Sequence, residues 1–246
     1  MAAGGPAVVE QCGKVVRQIK SASRVRSTGP QIGGAVKPLD WYYDFVSPFC
    51  YLQIEMLDQL GPGVRVNAIP IVFAAILKAR GQLGPAEIPQ KRVFTYRMVQ
   101  WLAEREGIPL RFPPAHPFNP LRGLRLALAA GGGLDAARTI FRYLWREGRA
   151  LDDPDGWRDL CDRVGVHDAD ARTADALVKD ELRRNGERAL ALGVFGVPTF
   201  VVDGELFWGA DATGLVADFV RDPARFSSGE YRRLAELPIG VERARS

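Results

Sequence analysis

Strand-forming sequence in this chain is confined to two short segments that lie far apart. In the first, residues 39–46 are aromatic-rich like a buried strand, a helix follows, and residues 64–71 read as a second strand. In the second, residues 199–202 and 205–208 read as strands joined by a two-residue hairpin turn, and a helix follows. Since a strand, a helix and a strand in succession favour a parallel pair, we expect both segments to join in one sheet-and-helix unit.

The residues between these segments are helical in pattern. Apolar residues recur there at steps of three and four, which predicts helices at 92–106, 120–130, 134–148, 155–164 and 170–192. A β-α-β unit and a β-β-α unit separated by helices have the order of a thioredoxin-type α/β fold split by an insertion. We therefore predict a leader at 1–38, a thioredoxin-like domain at 39–72 and 191–222, a helical insertion at 73–190 and a C-terminal tail at 223–246.

Basic charge is concentrated in the leader. The chain has a formal net charge of +4, yet residues 1–38 contain six Lys or Arg and one Glu, so the rest of the chain is slightly acidic. A nucleic-acid-binding protein needs its basic surface on the folded body, and we expect no nucleic-acid partner. The leader also lacks the apolar stretch of a secretory signal. A disordered extension is the favoured interpretation, and a mitochondrial presequence is the alternative.

Cysteine and histidine are too few for a disulfide framework or a zinc site. The chain has three cysteines, Cys12, Cys50 and Cys161, and two histidines, His116 and His167. An odd, sparse set of cysteines is typical of a reducing compartment, so we predict a cytoplasmic location. Without a cluster of His and Cys we expect no metal. The apolar runs are shorter than the roughly 18 residues that cross a bilayer, and we expect no membrane partner.

A serine stands where thioredoxin-fold redox proteins carry the first cysteine of C-x-x-C. Ser47-Pro48-Phe49-Cys50 follows the first strand and opens the first helix, with Ser47 as N-cap and Pro48 at the first helical position. The N–H groups and positive partial charge of a helix N-terminus lower the pKa of a thiol placed there. Ser47 cannot attack a disulfide, but its hydroxyl can donate a hydrogen bond to a thiolate that a cofactor brings. A plain N-cap serine is the alternative.

Two further features lie in the second strand-forming segment. Pro198 stands directly before a short strand. In thioredoxin folds such a proline is cis, and the residue before it, here Val197, offers its backbone N–H and C=O to an extended peptide. A turn proline is the alternative. Asp211 follows the last strand and reads as a helix cap that could also face the ammonium of a γ-glutamyl group.

Eight short motifs lie in order over about residues 40–222. They are Asp44–Leu52, Ala68–Ile71, Gly81–Pro85, Trp101–Ala103, Gly107–Leu110, Phe112–Asn119, Gly193–Phe200 and Phe207–Asp211. In order and spacing they resemble the DsbA-like branch of the thioredoxin superfamily in which Ser replaces the first Cys. Within that branch the chain resembles the 2-hydroxychromene-2-carboxylate isomerase family, which is related to the kappa-class glutathione transferases. It departs from the family at Ala210 and Ala212, where relatives often have Asn and Arg, which affects part of the γ-glutamyl contact.

The resemblance implies a glutathione-dependent isomerase with a small aromatic substrate. The family interconverts 2-hydroxychromene-2-carboxylate and trans-o-hydroxybenzylidenepyruvate in naphthalene-type aromatic catabolism. A thiolate that adds to a conjugated double bond makes rotation about that bond possible. The resemblance places the sulfur of glutathione at Ser47, the catalytic residue. It implies further glutathione contacts at Gln82, Val197, Pro198 and Asp211.

Five residues of the insertion are candidate substrate contacts. Lys78 and Glu87 lie in segments that reach the substrate in the family. His116 lies among prolines in a loop that we expect to face the cleft, and Asn119 reads as the cap of the following helix. Arg125 can hold a substrate carboxylate as a bidentate pair. An ordinary surface or structural role is the alternative at each of these positions.

Two other functions stay open at this stage. A kappa-type glutathione transferase uses the same serine and the same thiolate but releases a conjugate. A DsbA-family thiol–disulfide oxidoreductase, or a thioredoxin-fold binding module without catalysis, is the third possibility. Ser47 counts against a dithiol mechanism, because Cys50 alone remains at the motif. The resemblance also allows a homodimer.

Overall fold

The fold is built on a mixed sheet of four strands. In the computed structural model, which describes residues 37–241, the strands are β1 Lys37–Tyr43, β2 Val64–Pro70, β3 Thr199–Val202 and β4 Glu205–Trp208. They lie in the order β2-β1-β3-β4, with β1 and β2 parallel and the other two pairs antiparallel. Both strand-forming segments of the sequence therefore join in one sheet, as predicted.

The register of the sheet places two candidate features at the same edge. Tyr42 of β1 pairs with Thr199 of β3, and Tyr43 pairs with Pro70 of β2. The carboxyl end of β1, which leads to Ser47, therefore lies beside the amino end of β3, which follows Pro198. Residues that are about 150 positions apart in the chain are brought together in this way.

Ten α-helices surround the sheet in the described part of the chain. They are α1 Pro48–Glu55, α2 Phe73–Arg80, α3 Pro89–Glu106, α4 Leu121–Ala129, α5 Leu134–Phe141, α6 Pro154–Arg163, α7 Ala169–Ala174, α8 Ala176–Ala191, α9 Thr213–Arg221 and α10 Gly229–Ala235. None of the helices in this part of the chain is both long and apolar enough to cross a membrane.

The helices predicted from the sequence differ from those of the structure in three places. The sequence prediction missed α2 entirely, because its apolar residues continue the apolar run of β2. The helix expected at 134–148 ends at Phe141 and continues as a π-helical turn, Arg142–Arg146. The helix expected at 170–192 is divided into α7 and α8, because the Asp175 side chain accepts a hydrogen bond from the Leu177 N–H and caps a new helix.

An aromatic cluster joins the sheet to the insertion. Trp41 and Tyr43 of β1 stack with ring centroids 4.8 Å apart, and Phe45 lies edge-on to Tyr43. Phe141 of α5 packs against Phe45 at 4.7 Å, and all four side chains are buried. Full burial of one such ring contributes about 1.5–3 kcal/mol, so this cluster fixes the insertion on the strand that carries the site.

The leader and the division into domains stay predictions. β1 begins at Lys37, two residues before the predicted start of the first strand. The expectation that the leader is disordered falls almost entirely on residues 1–36, outside the described residues. Beyond Arg221, α10 is exposed along its whole length, as expected of a peripheral helix.

Candidate active site at the start of the first helix

Ser47 is the N-cap of α1. Its backbone is extended, and its Oγ accepts a hydrogen bond from the Cys50 N–H at 3.3 Å. Pro48 lacks an N–H and fits the first helical position, where that group has no partner within the helix. Because Oγ acts as the acceptor, the hydroxyl proton can be donated to a ligand, at the helix end that carries positive partial charge. The predicted role of Ser47 as N-cap is confirmed. Its hydroxyl is also a hydrogen-bond partner of the Cys50 thiol, whose pKa it acts to lower.

A buried carboxyl group fixes the turn before Ser47. Asp44 is fully buried, and its two oxygens accept hydrogen bonds from the Val46 N–H at 3.0 Å and the Phe73 N–H at 2.8 Å. Since Phe73 is the first residue of α2, this one side chain ties the Ser47 turn to a second helix. Burial raises the pKa of Asp44 to about 7, although both hydrogen bonds act to lower it.

Cys50 is buried and cannot be reached by a reactant at the site. Its side chain is fully buried, and burial raises the pKa of the thiol well above its usual range. The thiolate is the reactive form of cysteine, so a buried neutral thiol is a poor nucleophile. Cys50 therefore does not fit a thiol–disulfide exchange mechanism. Among residues 37–241, no group of three or more His, Cys, Asp or Glu side chains could hold a metal ion.

Gln53 of α1 connects the first strand to the loop that carries Asp211. Its Oε1 accepts a hydrogen bond from Trp41 Nε1 at 2.7 Å. Its Nε2 donates to the Gly209 carbonyl at 2.9 Å and to Thr213 Oγ1 at 3.0 Å. Gln53 is fully buried, so these hydrogen bonds are shielded from water and hold the 209–213 loop against α1.

The segment before β3 has the backbone groups that peptide pairing requires. The Val197–Pro198 peptide is cis, which confirms the prediction. Among the described residues, neither the N–H nor the C=O of Val197 takes part in a hydrogen bond, whereas the Pro198 carbonyl accepts one from the Gly209 N–H at 2.9 Å. Gly196 lies so close to Trp208 that a Cβ there would come within 2.5 Å of Nε1. An extended peptide can pair with the open N–H and C=O of Val197.

Asp211 is not the helix cap that the sequence predicted. Gly209, with φ of 102°, takes the cap position, and Asp211 lies inside the 3₁₀ turn Ala210–Ala212 that leads into α9. Its exposed carboxylate makes no capping hydrogen bond, which leaves it available to a cation. It lines a cavity of about 210 Å³ together with α1 and the end of α3, including Arg105 and Glu106, which pair with each other at 2.8 Å.

Three predicted contacts lie after β2. Lys78 is exposed in the last turn of α2, and Gln82 is exposed just beyond it. Glu87 Oε1 accepts a hydrogen bond from the Gly84 N–H at 2.6 Å, so this carboxylate closes its own turn. The ligand contacts proposed for these residues stay predictions.

His116 uses both ring nitrogens within the protein. Nε2 lies 2.8 Å from the Val46 carbonyl and must donate to it, while Nδ1 lies 2.7 Å from the Tyr96 hydroxyl. Burial lowers the pKa of His116, which favours the neutral ring with Nδ1 as an acceptor. The single proton of the Tyr96 hydroxyl then lies between two acceptors, Nδ1 and the His116 carbonyl at 2.9 Å. His116 thus ties its loop to the residue before Ser47. Its predicted contact with substrate stays a prediction, and positioning of the Ser47 turn is the role that its hydrogen bonds define.

Asn119 and Arg125 line one cavity. They lie on either side of the start of α4, and the cavity between them measures about 470 Å³. Ser47, Lys78, Gln82, Glu87 and His116 are not among its lining residues. Asn119 and Arg125 therefore share a cavity that none of the other predicted site residues lines.

The sheet order, the cis proline and the helix N-terminus at Ser47 define a protein of the thioredoxin class. A family model described as "DSBA-like thioredoxin domain" matches residues 38–221. The chain belongs to this DsbA-like family, which confirms the fold class predicted from the sequence.

Individual relatives show which members of the DsbA-like family this chain is similar to. A 2-hydroxychromene-2-carboxylate isomerase from Pseudomonas putida is 31% identical over 70% of this chain and 89% of its own length. Glutathione S-transferase kappa 1 from Caenorhabditis elegans is 24% identical over 75% of this chain and 91% of its own length. A solved structure of a 2-hydroxychromene-2-carboxylate isomerase covers 78% of this chain and all of its own, with a TM-score of 0.66 and 24% identity, and shows the shared fold. These findings confirm the resemblance stated from the sequence and support an enzyme.

Proposed function

We propose that this protein is a glutathione-dependent isomerase. It interconverts 2-hydroxychromene-2-carboxylate and trans-o-hydroxybenzylidenepyruvate, or a closely related aromatic catabolite. The observation that carries the proposal is Ser47, whose Oγ caps the start of α1 by accepting from the Cys50 N–H, where its hydroxyl can donate to a bound thiolate. The cytoplasmic location and the homodimer stay predictions.

The residues around α1 fit a γ-glutamyl peptide. Val197 offers an N–H and a C=O that have no partners within residues 37–241, as the cysteinyl backbone of an extended peptide needs. Asp211 offers an exposed carboxylate to the γ-glutamyl ammonium, and Gln82 lies exposed on the loop after α2. When bound, glutathione would supply a thiolate that adds reversibly to the conjugated alkene and is released after rotation about the resulting single bond.

The chain's own groups act by position and charge. The N–H groups of the first turn of α1 and the Ser47 hydroxyl favour a negative sulfur over a neutral thiol. Asp44 fixes the turn before Ser47. Gln53 fixes the loop that carries Asp211. The reaction is an isomerisation without net redox change, so it needs no second cysteine.

A kappa-type glutathione transferase is the second candidate. Four relatives carry a kappa glutathione transferase name, and the same serine, backbone pair and carboxylate serve conjugation equally well. The two activities differ in product, since the isomerase returns free glutathione and the transferase consumes it. A dithiol oxidoreductase is disfavoured by Ser47 and by the buried, protonated Cys50.

The experiment measures turnover of 2-hydroxychromene-2-carboxylate with and without glutathione, and counts free thiol before and after. We expect turnover that requires glutathione while the thiol count stays constant. Ser47→Ala should lower turnover about 10- to 150-fold, since a hydrogen bond to a charged group contributes about 1.5–3 kcal/mol. Ser228→Ala, at an exposed serine that opens α10, is the matched control and should leave turnover unchanged.

Two results would overturn the proposal. Turnover without glutathione would remove the cofactor from the mechanism. Stoichiometric loss of free thiol with formation of a conjugate would establish the transferase instead.

A further inference from the structure

One face of α3 exposes large apolar side chains. Phe94 is 63% exposed and Trp101 is 53% exposed, and Val93 lies next to Phe94 with half of its surface in solvent. The opposite face of α3 is held in the core through Val99 and Ala103, which are buried. Trp101 also belongs to one of the eight sequence motifs, yet it is not part of the candidate site.

The exposed residues form a straight seam along the helix. Five of them recur at steps of four and three, which is the spacing of helices that pack against another helix. The five are Gln90, Phe94, Arg97, Trp101 and Glu104. At 1.5 Å per residue the seam extends for about 21 Å along α3.

The seam has the composition of a protein interface. Aromatic residues and Arg are enriched in the cores of such interfaces, and Trp and Arg are common among the residues that dominate binding energy. The guanidinium of Arg105 lies 4.8 Å from the ring centroid of Trp101, so the ring is held in place before a partner binds. A helix that lies on a lipid surface needs a continuous apolar face, whereas here Arg97 lies between the two rings.

Charge along α3 is divided between its two halves. The first half carries three basic side chains, Lys91, Arg92 and Arg97. In the second half Arg105 and Glu106 pair with each other at 2.8 Å, which leaves the negative charge of Glu104. Two copies of α3 packed antiparallel bring the basic half of each beside the acidic half of the other, whereas parallel packing brings like charges together.

An antiparallel pair of these helices is also self-complementary. A two-fold axis that passes near Val99 sets Arg97 of one copy opposite Trp101 of the other, and the reverse contact forms at the same time. An Arg over the face of an aromatic ring contributes about 0.5–2 kcal/mol, and here the contact forms twice.

We propose that this face of α3, from Gln90 to Glu104, binds the same face of a second copy of this chain in antiparallel orientation. The sequence resemblance allows a homodimer, and α3 supplies its surface, its orientation and the residues that hold it. A pair of single helices buries less than the roughly 1,200–2,000 Å² of a standard interface, so we expect a Kd in the micromolar range. None of the seam residues is proposed to hold glutathione, so the dimer does not depend on the proposed function.

Sedimentation velocity of the full chain tests the surface, over a series from about 1 to about 100 µM that brackets a micromolar Kd. We expect the mass to rise with concentration from 27.0 kDa toward twice that value. Trp101→Ala should raise the Kd about 30-fold or more, since a central tryptophan typically contributes about 2 kcal/mol or more. Trp208→Ala is the matched control, because it removes a tryptophan of similar exposure, 55%, from β4, and it should leave the Kd unchanged.

Cross-linking through single cysteines tests the orientation. The background is a Cys12→Ser chain, whose other cysteines, Cys50 and Cys161, are buried. Gln100→Cys lies close to the two-fold axis, so a short bismaleimide should link two copies. Gln90→Cys should not be linked, because antiparallel packing places its two copies about 27 Å apart along the helix. Parallel packing would link both variants.

Three results would overturn the proposal. They are a chain that stays monomeric throughout the series, wild-type association in folded Trp101→Ala, and linkage of Gln90→Cys as readily as Gln100→Cys. A monomeric chain that binds vesicles of anionic lipid through Trp101 would assign the face to a membrane surface instead. If Trp101→Ala does not fold, Arg97→Ala at its exposed position decides, and it should weaken association several-fold.

Discussion

Replacing Asp44 by asparagine should change how the stability of the protein depends on pH. The side chain is fully buried, and burial raises its pKa to about 7 from an ordinary value of about 3.9. A carboxyl group whose pKa is raised by folding stabilises the fold fully at pH values below about 4. That contribution is lost as the pH rises through about 7.

The size of the effect follows from the shift. About three pH units at about 1.4 kcal/mol each give about 4 kcal/mol across the whole window. The asparagine side chain does not titrate, so the stability of the wild type relative to Asp44→Asn should fall by about 2 kcal/mol between pH 5 and pH 7. Asparagine has one acceptor oxygen where Asp44 serves two N–H groups, so a cost of about 1–3 kcal/mol that does not vary with pH is added.

Urea unfolding at pH 5, 6, 7 and 8 measures this difference. Asp58→Asn, at an exposed position in the 3₁₀ turn after α1, is the control for replacing a carboxylate outside the core. A constant difference for Asp44→Asn, or one that grows as the pH rises, would refute the reasoning about the buried carboxyl group.

Two further predictions concern α1. Cys50→Ser should keep turnover within about tenfold of the wild type, because the thiol is buried and protonated; a loss beyond about a hundredfold, roughly 2.7 kcal/mol, would place a protein thiol in the mechanism. Gln53→Leu removes the hydrogen bonds to Trp41, Gly209 and Thr213. It should lower the free energy of unfolding by about 1–3 kcal/mol and raise the KM for glutathione more than it lowers kcat. Urea unfolding and glutathione titrations measure both effects, and an unchanged KM would show that Gln53 does not position the Asp211 loop.

Local patterns predicted the sheet and the helix start at Ser47. The Asp203-Gly204 turn and the aromatic strand before Ser47 depend on neighbouring residues, so the sequence shows them directly. The π-helical turn at Arg142–Arg146 could not be predicted in this way. There Trp145 Nε1 donates to the Phe45 carbonyl at 2.8 Å, a contact between residues 100 positions apart.

The sequence predicted the N-cap serine and the cis proline of the candidate site. It did not predict the buried polar residues that hold these segments in place. Asp44 and Gln53 are polar residues within apolar stretches, and a polar residue in such a place is the one sequence feature that could have indicated a buried hydrogen-bonding role. Their partners at Phe73 and Gly209 lie on distant segments, so the hydrogen bonds became visible only in the fold. Arg125 was predicted from its place on a helix, whereas its cavity depends on the 149–152 loop.

The ionisation of bound glutathione tests the central claim most directly. A free thiol with a pKa of about 8.5 is only a few per cent ionised at pH 7, and a helix N-terminus with a serine hydroxyl should lower that pKa by about 1–2 units. Thiolate absorbance near 240 nm, followed across a pH series with glutathione bound, gives the value for the wild type and for Ser47→Ala. We expect a lowered pKa in the wild type and a higher one in Ser47→Ala, with glutathione still bound through Val197 and Asp211. The same ionisation curve in both proteins would contradict the role of Ser47.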